Sequence, residues 1–283
     1  MEIIKNIIVQ GEHHKPILTD VFYLKNTPLK SIVIFAHGYK GYKDWGCWNI
    51  VAEAFANAGH FFIKFNFSHN GGTVKQPTDF PDLEAFGHNN YTKELDDLQS
   101  VIDWICIEKS FSEEINTANI TLIGHSRGGG IVSIKATEDN RITKVISWAA
   151  VSNFGNRSST IGDLEQWKKD GVKYILNGRT KQKMPHYYQF YEDFKANEIR
   201  LTIELATKKI EIPHLIIHGD SDTSISLDEA ENLHSWNQKS NLVSIKNANH
   251  TFGSMHPWPK THLPEHPQTV VDKSIVFVIN GNN

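Results

Sequence analysis

The run Gly124-His125-Ser126-Arg127-Gly128 reads G-x-S-x-G and lies between an apolar stretch and a helical one. The residues just before it, 119–123, have the character of a buried strand, and the residues that follow continue as a helix. A sharp strand-to-helix turn exposes a serine hydroxyl to a neighbouring base, and it needs small residues where its backbone packs closely. The run therefore predicts a nucleophile elbow with Ser126 as the nucleophile.

Candidate partners of the serine follow it in the chain, in the order that such an elbow predicts. Residues 213–218 form a short apolar strand that leads into a turn with two carboxylates, Asp220 and Asp222. His250 lies in the loop after another apolar strand, 242–246. Because the carboxyl ends of parallel strands lie along one edge of a sheet, these residues are expected to meet Ser126 there. The histidine would take the serine proton, and a carboxylate would hold the imidazole tautomer.

Strands and helices alternate along most of the chain, which is typical of a mostly parallel sheet flanked by helices. Residues 31–36 are apolar almost without interruption, as expected for a strand that is covered on both faces. An opening hairpin is predicted over 3–10 and 17–24. The remaining predicted strands are 60–67, 119–124, 143–150, 213–218 and 242–246, and helices are predicted after the elbow and near 47–58, 91–108, 226–237 and 266–280.

Residues 152–212 interrupt this alternation, since they hold many aromatic side chains among charges, with helical spacing in places and no clear strand. We predict a single core domain made of residues 1–151 and 213–283, with residues 152–212 as a small helical cap inserted over the site. Aromatic side chains of the cap could line a substrate pocket, although packing between cap and sheet is their more frequent role. The sequence does not specify which residues bind the substrate.

Five stretches carry a resemblance to a known family: His37-Gly38-Tyr39 and residues 65–71, 124–129, 218–222 and 249–252. With them the chain resembles the α/β-hydrolases, in the group that contains feruloyl and cinnamoyl esterases, dienelactone-hydrolase-like proteins and serine aminopeptidases. The resemblance extends from about residue 30 to about residue 255. It implies an α/β-hydrolase fold and a serine hydrolase, but it does not name the ester that is cleaved.

The resemblance also separates the two carboxylates and adds an oxyanion hole. In family stretches of this kind the second carboxylate is the triad acid, which favours Asp222 over Asp220 as the partner of His250. One oxyanion donor in this fold is the N–H after the nucleophile, and the other comes from the loop after the early strand. These would be the backbone N–H groups of Arg127 and Tyr39.

Three further side chains of these motifs have more than one possible role. His37 and His125 are expected to orient the backbone or to pack rather than to take part directly in the chemistry. The Arg127 guanidinium could meet a carboxylate of the substrate, whereas a structural ion pair is the more frequent role for such a residue.

Composition and motifs exclude several classes of protein. The chain has a formal net charge of -3 and no basic stretch, so neither nucleic acid nor an anionic membrane is expected as a partner. The chain contains no run of about 20 apolar residues, so no membrane span is predicted. Residues 1–10 lack the features of a leader, so a first strand and a cytoplasmic location are expected. The sequence indicates no oligomeric state.

Neither a cofactor nor a metal is expected. The chain contains no G-x-x-x-x-G-K-[ST] phosphate loop and no G-x-G-x-x-G after a strand, which are the usual signs of a bound nucleotide. His256, His262 and His266 lie among prolines, and their irregular spacing matches no common ligand pattern.

Together these features predict a serine hydrolase that cleaves small-molecule carboxylic esters of a small to medium acyl or aryl-acyl group, through an acyl-enzyme on Ser126. Alternatives stay open, because one fold carries many functions. A peptidase could use the same triad. In an acyltransferase or a lyase, the cap would exclude water or the triad would act as acid and base. A ligand-binding homologue would have no catalytic activity.

Overall fold

The computed structural model describes residues 1–25, 28–159 and 162–281, without the side chains of Ser158 and Ser159. Its strands are β1 (Glu2–Gln10), β2 (Pro16–Tyr23), β3 (Lys30–Ala36), β4 (Phe61–Phe65), β5 (Ile115–His125), β6 (Ile142–Trp148), β7 (Val172–Leu176), β8 (Lys183–Tyr187), β9 (His214–Gly219) and β10 (Asn241–Ile245). Its helices are α1 (Trp48–Asn57), α2 (Leu83–Gly87), α3 (Tyr91–Ile107), α4 (Arg127–Glu138), α5 (Phe154–Ser159), α6 (Leu164–Asp170), α7 (Gln189–Ala196), α8 (Ile203–Thr207), α9 (Leu227–Trp236) and α10 (Glu265–Asn280). Within the described residues, no helix is long and apolar enough to cross a membrane.

Eight of the strands form one central sheet in the order β1-β2-β4-β3-β5-β6-β9-β10. The β1–β2 and β2–β4 pairs are antiparallel, and every neighbouring pair from β4 to β10 is parallel. Parallel neighbours need long crossover connections, and most of these connections contain a helix. The predicted opening hairpin and the predicted mostly parallel sheet are therefore confirmed.

Helices cover both faces of this sheet, as β3 shows. Alternate side chains of a strand point to opposite faces. Ile32 and Ile34 belong to the apolar cluster that includes residues of α3, α4 and α9, whereas Val33 and Phe35 belong to the cluster that includes residues of α1 and α10. All four side chains are buried. Full burial of such a side chain contributes roughly 1.5–3 kcal/mol to folding, which explains the uninterrupted apolar run in the sequence.

A ring of four charged side chains, three of them buried, lies beside the loop after β3. Lys43 Nζ is 2.8 Å from Asp20 Oδ2 and 2.6 Å from Asp44 Oδ2, and Lys64 Nζ is 2.7 Å from an oxygen of each aspartate. Burial raises the pKa of the Asp44 carboxyl, but the two ammonium groups outweigh burial and hold that pKa well below its usual range. Because Asp20 lies on β2 and Lys64 on β4, the ring fastens the loop after β3 to the sheet.

We expect Lys64→Met to lower the free energy of unfolding by about 3–5 kcal/mol, since it leaves the buried Asp20 carboxylate and the partly buried Asp44 carboxylate with a single ammonium partner. Chemical denaturation followed by circular dichroism measures the change. Lys75→Met removes an exposed lysine as a control and should change the free energy by less than about 0.5 kcal/mol. Equal stability of the two variants would show that the ring does not hold the loop.

Residues 152–212 contain helices, as predicted, but also the antiparallel hairpin β7–β8. The expectation that no strand occurs in this segment was wrong. Pro185 lies inside β8 and pairs with Tyr174. A proline removes one ladder hydrogen bond, which is tolerated in a two-stranded ribbon where both strands are edges, and it hides such a strand from sequence patterns. The division of the chain into a core domain and a cap stays a prediction.

Candidate active site

Ser126 occupies the turn between β5 and α4. Its backbone angles are φ 58° and ψ -119°, which a residue with a side chain rarely adopts. The two flanking glycines leave room for this turn. A Cβ at Gly124 would lie 2.2 Å from the Gly128 carbonyl oxygen, and a Cβ at Gly128 would lie 2.3 Å from the Ala36 carbonyl oxygen. The geometry is that of the strained strand-to-helix turn expected from the sequence.

His250 links this serine to a carboxylate. Its Nε2 lies 3.1 Å from Ser126 Oγ, and its Nδ1 lies 2.7 Å from Asp222 Oδ2. When Nδ1–H donates to the carboxylate, Nε2 is left as an acceptor for the serine O–H. The three side chains follow β5, β9 and β10, so the parallel sheet brings them together at the edge where its strands end.

Asp222 is held in its ionised form by several donors. Its Oδ1 accepts hydrogen bonds from the N–H groups of Ser224 and Ile225 at 2.8 and 2.9 Å. Burial raises the pKa of Asp222, but hydrogen bonds from His218, His250 and the Ile225 N–H outweigh burial and hold that pKa well below its usual range. Asp222 is therefore a carboxylate at every pH near neutrality, and it can accept a hydrogen bond from His250 Nδ1–H.

Asp220 lies outside this arrangement. Its side chain is exposed, and Oδ1 accepts hydrogen bonds from the Asn247 N–H at 2.7 Å and from the Ser221 hydroxyl at 3.0 Å. Of the two candidate carboxylates, Asp222 is thus the one beside His250.

The loop after β3 approaches the serine at Gly38. A Cβ at this position would lie 2.8 Å from Ser126 Cβ and 3.3 Å from its Oγ. Arg127 is the first residue of α4, so its N–H has no partner within the helix. Among the described residues, neither this N–H nor that of Tyr39 has a hydrogen-bond acceptor. Both groups are available to a substrate, and their role as an oxyanion hole stays a prediction.

We expect Gly38→Ala to lower kcat for ester hydrolysis by about 10²-fold, because the added methyl group displaces either Ser126 or the loop that carries the Tyr39 N–H. Steady-state kinetics, with thermal unfolding to confirm the fold, measures the effect. Gly178→Ala is the matched control, since a Cβ there would meet no atom within 4 Å. If both variants kept the rate of the wild type, the close approach at Gly38 would have no part in catalysis.

The two motif histidines, His37 and His125, hold backbone groups, as expected. His37 Nδ1–H donates to the Gly38 carbonyl oxygen at 2.9 Å, and His125 Nε2–H donates to the His250 carbonyl oxygen at 2.9 Å. Burial lowers the pKa of His37 to about 4, and burial together with the nearby His250 lowers the pKa of His125 to about 3. Both rings are therefore neutral at neutral pH and fix the backbone on either side of the serine.

Two cavities meet at Ser126 and His250. The larger one has a volume of about 390 Å³ and is lined mainly by apolar and aromatic side chains, among them Tyr91, Val151, Phe154, Phe190 and Ile225. The smaller one has a volume of about 250 Å³ and includes Gly41, Trp45, Trp48 and Thr251 in its lining. Cavities on two sides of one hydroxyl group can hold the two parts of an ester.

The family model of the alpha/beta hydrolase fold matches residues 31–182, which is more than half of the 283-residue chain. The chain belongs to the α/β-hydrolase family. Three solved structures that resemble this α/β-hydrolase are Est1E from Butyrivibrio proteoclasticus (17% identity, 98% of each chain covered, TM-score 0.71), the esterase domain of a Rhodothermus marinus protein (16%, 100% of each chain, 0.66) and a dienelactone hydrolase from Anabaena variabilis (15%, 99% of each chain, 0.65). At these identities the likeness shows the fold alone. No curated protein matches the chain.

The β7–β8 hairpin of this α/β-hydrolase contributes to both cavities. Ile175 and His186 line the larger one, and Asn177 and Arg179 line the smaller one. His186 Nε2 accepts a hydrogen bond from the Tyr39 hydroxyl at 2.7 Å, which ties the hairpin to the loop after β3. These lining residues could not be found from the sequence, because no local motif marks them and the hairpin itself was not predicted.

The Arg127 guanidinium makes a structural ion pair, which was the more frequent of its two expected roles. Its Nη1 lies 3.2 Å from Glu94 Oε1, on α3. Aromatic rings surround it, with the ring centres of Tyr39, Tyr91 and Phe190 at 4.5, 5.2 and 5.5 Å from Cζ. Arg127 also lines the larger cavity, and its side chain stays 13% exposed, so the ion pair does not remove the residue from the site.

The histidines near the C-terminal prolines form no metal site within the described part of the chain. His256 Nδ1 accepts a hydrogen bond from the Gly46 N–H at 2.9 Å, and its ring stacks against Trp45. Across residues 1–25, 28–159 and 162–281, no group of three or more His, Cys, Asp or Glu side chains could hold a metal ion.

Proposed function

We propose that this α/β-hydrolase cleaves carboxylic esters through an acyl-enzyme on Ser126. The observation that carries the proposal is the chain of hydrogen bonds from Ser126 Oγ to His250 and on to Asp222, at 3.1 and 2.7 Å, at the junction of two cavities. A serine hydroxyl is a weak nucleophile until a positioned base takes its proton, and His250 Nε2 is within reach of that proton.

In the acylation step, Ser126 Oγ attacks the ester carbonyl carbon while its proton passes to His250 Nε2. The carbonyl oxygen becomes an oxyanion, which accepts hydrogen bonds from the N–H groups of Tyr39 and Arg127. The bond to the alcohol oxygen then breaks, and the proton on Nε2 passes to that oxygen. In the second half, a water molecule gives a proton to the same nitrogen and attacks the acyl carbon. The bond from that carbon to Ser126 Oγ then breaks, Oγ takes the proton back from Nε2, and the acid is released.

The negative charge of Asp222 would stabilise the imidazolium of His250 that forms in both acylation and deacylation. Because the pKa of this carboxyl is held well below its usual range, Asp222 stays ionised at neutral pH. It accepts the Nδ1–H hydrogen bond and so keeps Nε2 directed at Ser126.

The size and lining of the larger cavity favour a substrate with a small to medium acyl group or an aryl-acyl group. Its volume of about 390 Å³ lies within the range of small-molecule sites, and rings such as Tyr91, Phe154 and Phe190 form much of its wall. Est1E, which shares the fold, has been solved with ferulic acid bound. An aryl-acyl ester of that size is therefore one of the substrates to test.

The test combines hydrolysis with covalent labelling. We expect hydrolysis of one or more p-nitrophenyl esters between acetate and dodecanoate, or of methyl ferulate, and stoichiometric labelling of Ser126 by a fluorophosphonate probe in intact-protein mass spectrometry. Ser221→Ala, an exposed serine in the loop before Asp222, is the control and should be labelled like the wild type. If the protein neither hydrolysed any of these esters nor reacted with the probe, the proposal would be contradicted. Preferred transfer to an added alcohol, or peptide cleavage alone, would replace it with the corresponding alternative.

A further inference from the structure

Three cationic side chains line the larger cavity, and only two of them are paired with carboxylates. Arg127 is paired with Glu94, and Arg157 is paired with Glu229. Lys40 is the third, and no carboxylate among the described residues lies within ion-pair distance of its Nζ. The cavity thus has one cation more than its ion pairs neutralise.

Lys40 lies next to the reacting groups. It follows Tyr39 directly in the chain and lines both cavities. Its Nζ is 5.0 Å from the centre of the Tyr39 ring, and Arg127 Cζ is 4.5 Å from the centre of the same ring. Tyr39 and Arg127 also carry the two N–H groups proposed for the oxyanion hole. Two cationic groups therefore lie at the ring of the residue whose N–H is proposed as an oxyanion donor.

An anion beside Lys40 would stabilise the charged form of its side chain. Burial and the nearby Arg127 guanidinium both lower the pKa of Lys40, so both disfavour its charged form. A bound anion would offset both effects. Arg127 uses Nη1 to donate to Glu94, and its other N–H groups have no acceptor among the described residues, so the guanidinium can add a charge-assisted hydrogen bond.

We propose that the substrate carries a carboxylate in addition to its ester group, and that Lys40 binds this carboxylate with Arg127 as the second donor. This inference rests on the proposed ester hydrolysis and narrows its substrate class to anionic esters. The apolar and aromatic part of the cavity wall would contact the carbon chain between the two groups. Half-esters of dicarboxylic acids place the carboxylate on the acyl part, and esters of hydroxy acids place it on the alcohol part.

The test uses matched pairs of charged and neutral esters. Monomethyl adipate is compared with methyl hexanoate for the acyl side, and 4-acetoxybutanoate with butyl acetate for the alcohol side. We expect the charged ester of one pair to have the higher kcat/KM by at least about tenfold, as expected for a partly buried charge pair. The pair that shows this preference identifies the side that carries the carboxylate.

Lys40→Met should lower this charged-to-neutral ratio at least about tenfold, and Lys40→Arg should keep most of it. Lys109→Met removes an exposed lysine outside both cavities, causes the same change in net charge and should leave the ratio as in the wild type. A high ratio that Lys40→Met does not reduce would overturn the role of Lys40. A ratio near one in the wild type, with neutral esters hydrolysed, would overturn the anionic substrate and leave the proposed function intact.

If no ester is hydrolysed, the proposed function fails, and the anion site is tested by binding alone. Calorimetric titration of the Ser126→Ala protein with monomethyl adipate and with 4-acetoxybutanoate then replaces kinetics. Binding of either compound that is lost on adding Lys40→Met supports the site. Absence of binding, or binding that does not depend on Lys40, overturns it.

Discussion

Ser126→Ala should hydrolyse esters at least about 10⁴-fold more slowly than the wild type, because without Oγ no acyl-enzyme can form. Alanine removes one atom and leaves the close backbone contacts of the flanking glycines unchanged. The measurement is kcat on the preferred p-nitrophenyl ester, with the mutant purified separately from any wild-type protein. Ser221→Ala, in an exposed position, should keep the wild-type rate.

The same prediction extends to the base. His250→Ala should lower kcat about as much as Ser126→Ala, and the double variant should be little worse than either single one, since groups that act as a unit have non-additive effects. A residual activity within about tenfold of the wild type in Ser126→Ala would show that another group is the nucleophile, because groups of this kind contribute several orders of magnitude.

Asp222→Asn should lower kcat by about 10⁴-fold while leaving the protein folded. The N–H groups of Ser224 and Ile225 donate to Oδ1, so they would select the amide oxygen for that position. The amide NH₂ group would then face His250 Nδ1, which lies 2.7 Å from Oδ2. An imidazole that accepts at Nδ1 has its proton on Nε2 and cannot take the proton of Ser126.

Asp220→Asn is the matched control for this variant, since it makes the same chemical change two residues away. Asp220 is exposed and hydrogen-bonded to Asn247 and Ser221, whereas the hydrogen bond of His250 Nδ1 goes to Asp222. Its substitution should leave kcat close to that of the wild type. A greater loss in Asp220→Asn than in Asp222→Asn would reassign the acid.

The sheet, and the placement of Ser126, Asp222 and His250 at one edge of it, could be predicted because short local sequence patterns indicate them. Ser126 lies in a short motif, and Asp222 and His250 each follow an apolar strand, so the edge of a parallel sheet is enough to place them together. The sequence motif alone left the choice between Asp220 and Asp222 open. Only the direction of each side chain, which depends on the turn after β9, shows which carboxylate lies beside the histidine.

The walls of the cavities could not be predicted, because they depend on contacts between distant parts of the chain. The Tyr39 hydroxyl meets His186 across 147 positions. Arg127 has an ion-pair partner because the fold places Glu94 of α3 beside it. Lys40 has none because the fold places no acidic side chain of the described residues near its Nζ. Such pairings follow from tertiary packing and leave no periodic signal in the sequence.

Under the proposed function, one element, the β7–β8 hairpin, would contact both the acyl and the alcohol part of the ester. Its strand residues Ile175 and His186 line one cavity, and its turn residues Asn177 and Arg179 line the other. Under the proposed function, an insertion in this ribbon or an exchange of these four lining residues would therefore alter the preferences for the acyl and the alcohol part in a single step. The strand ends that carry Ser126 would stay unchanged, so new specificities could arise in this chain by mutation of one short segment while the reaction itself is retained.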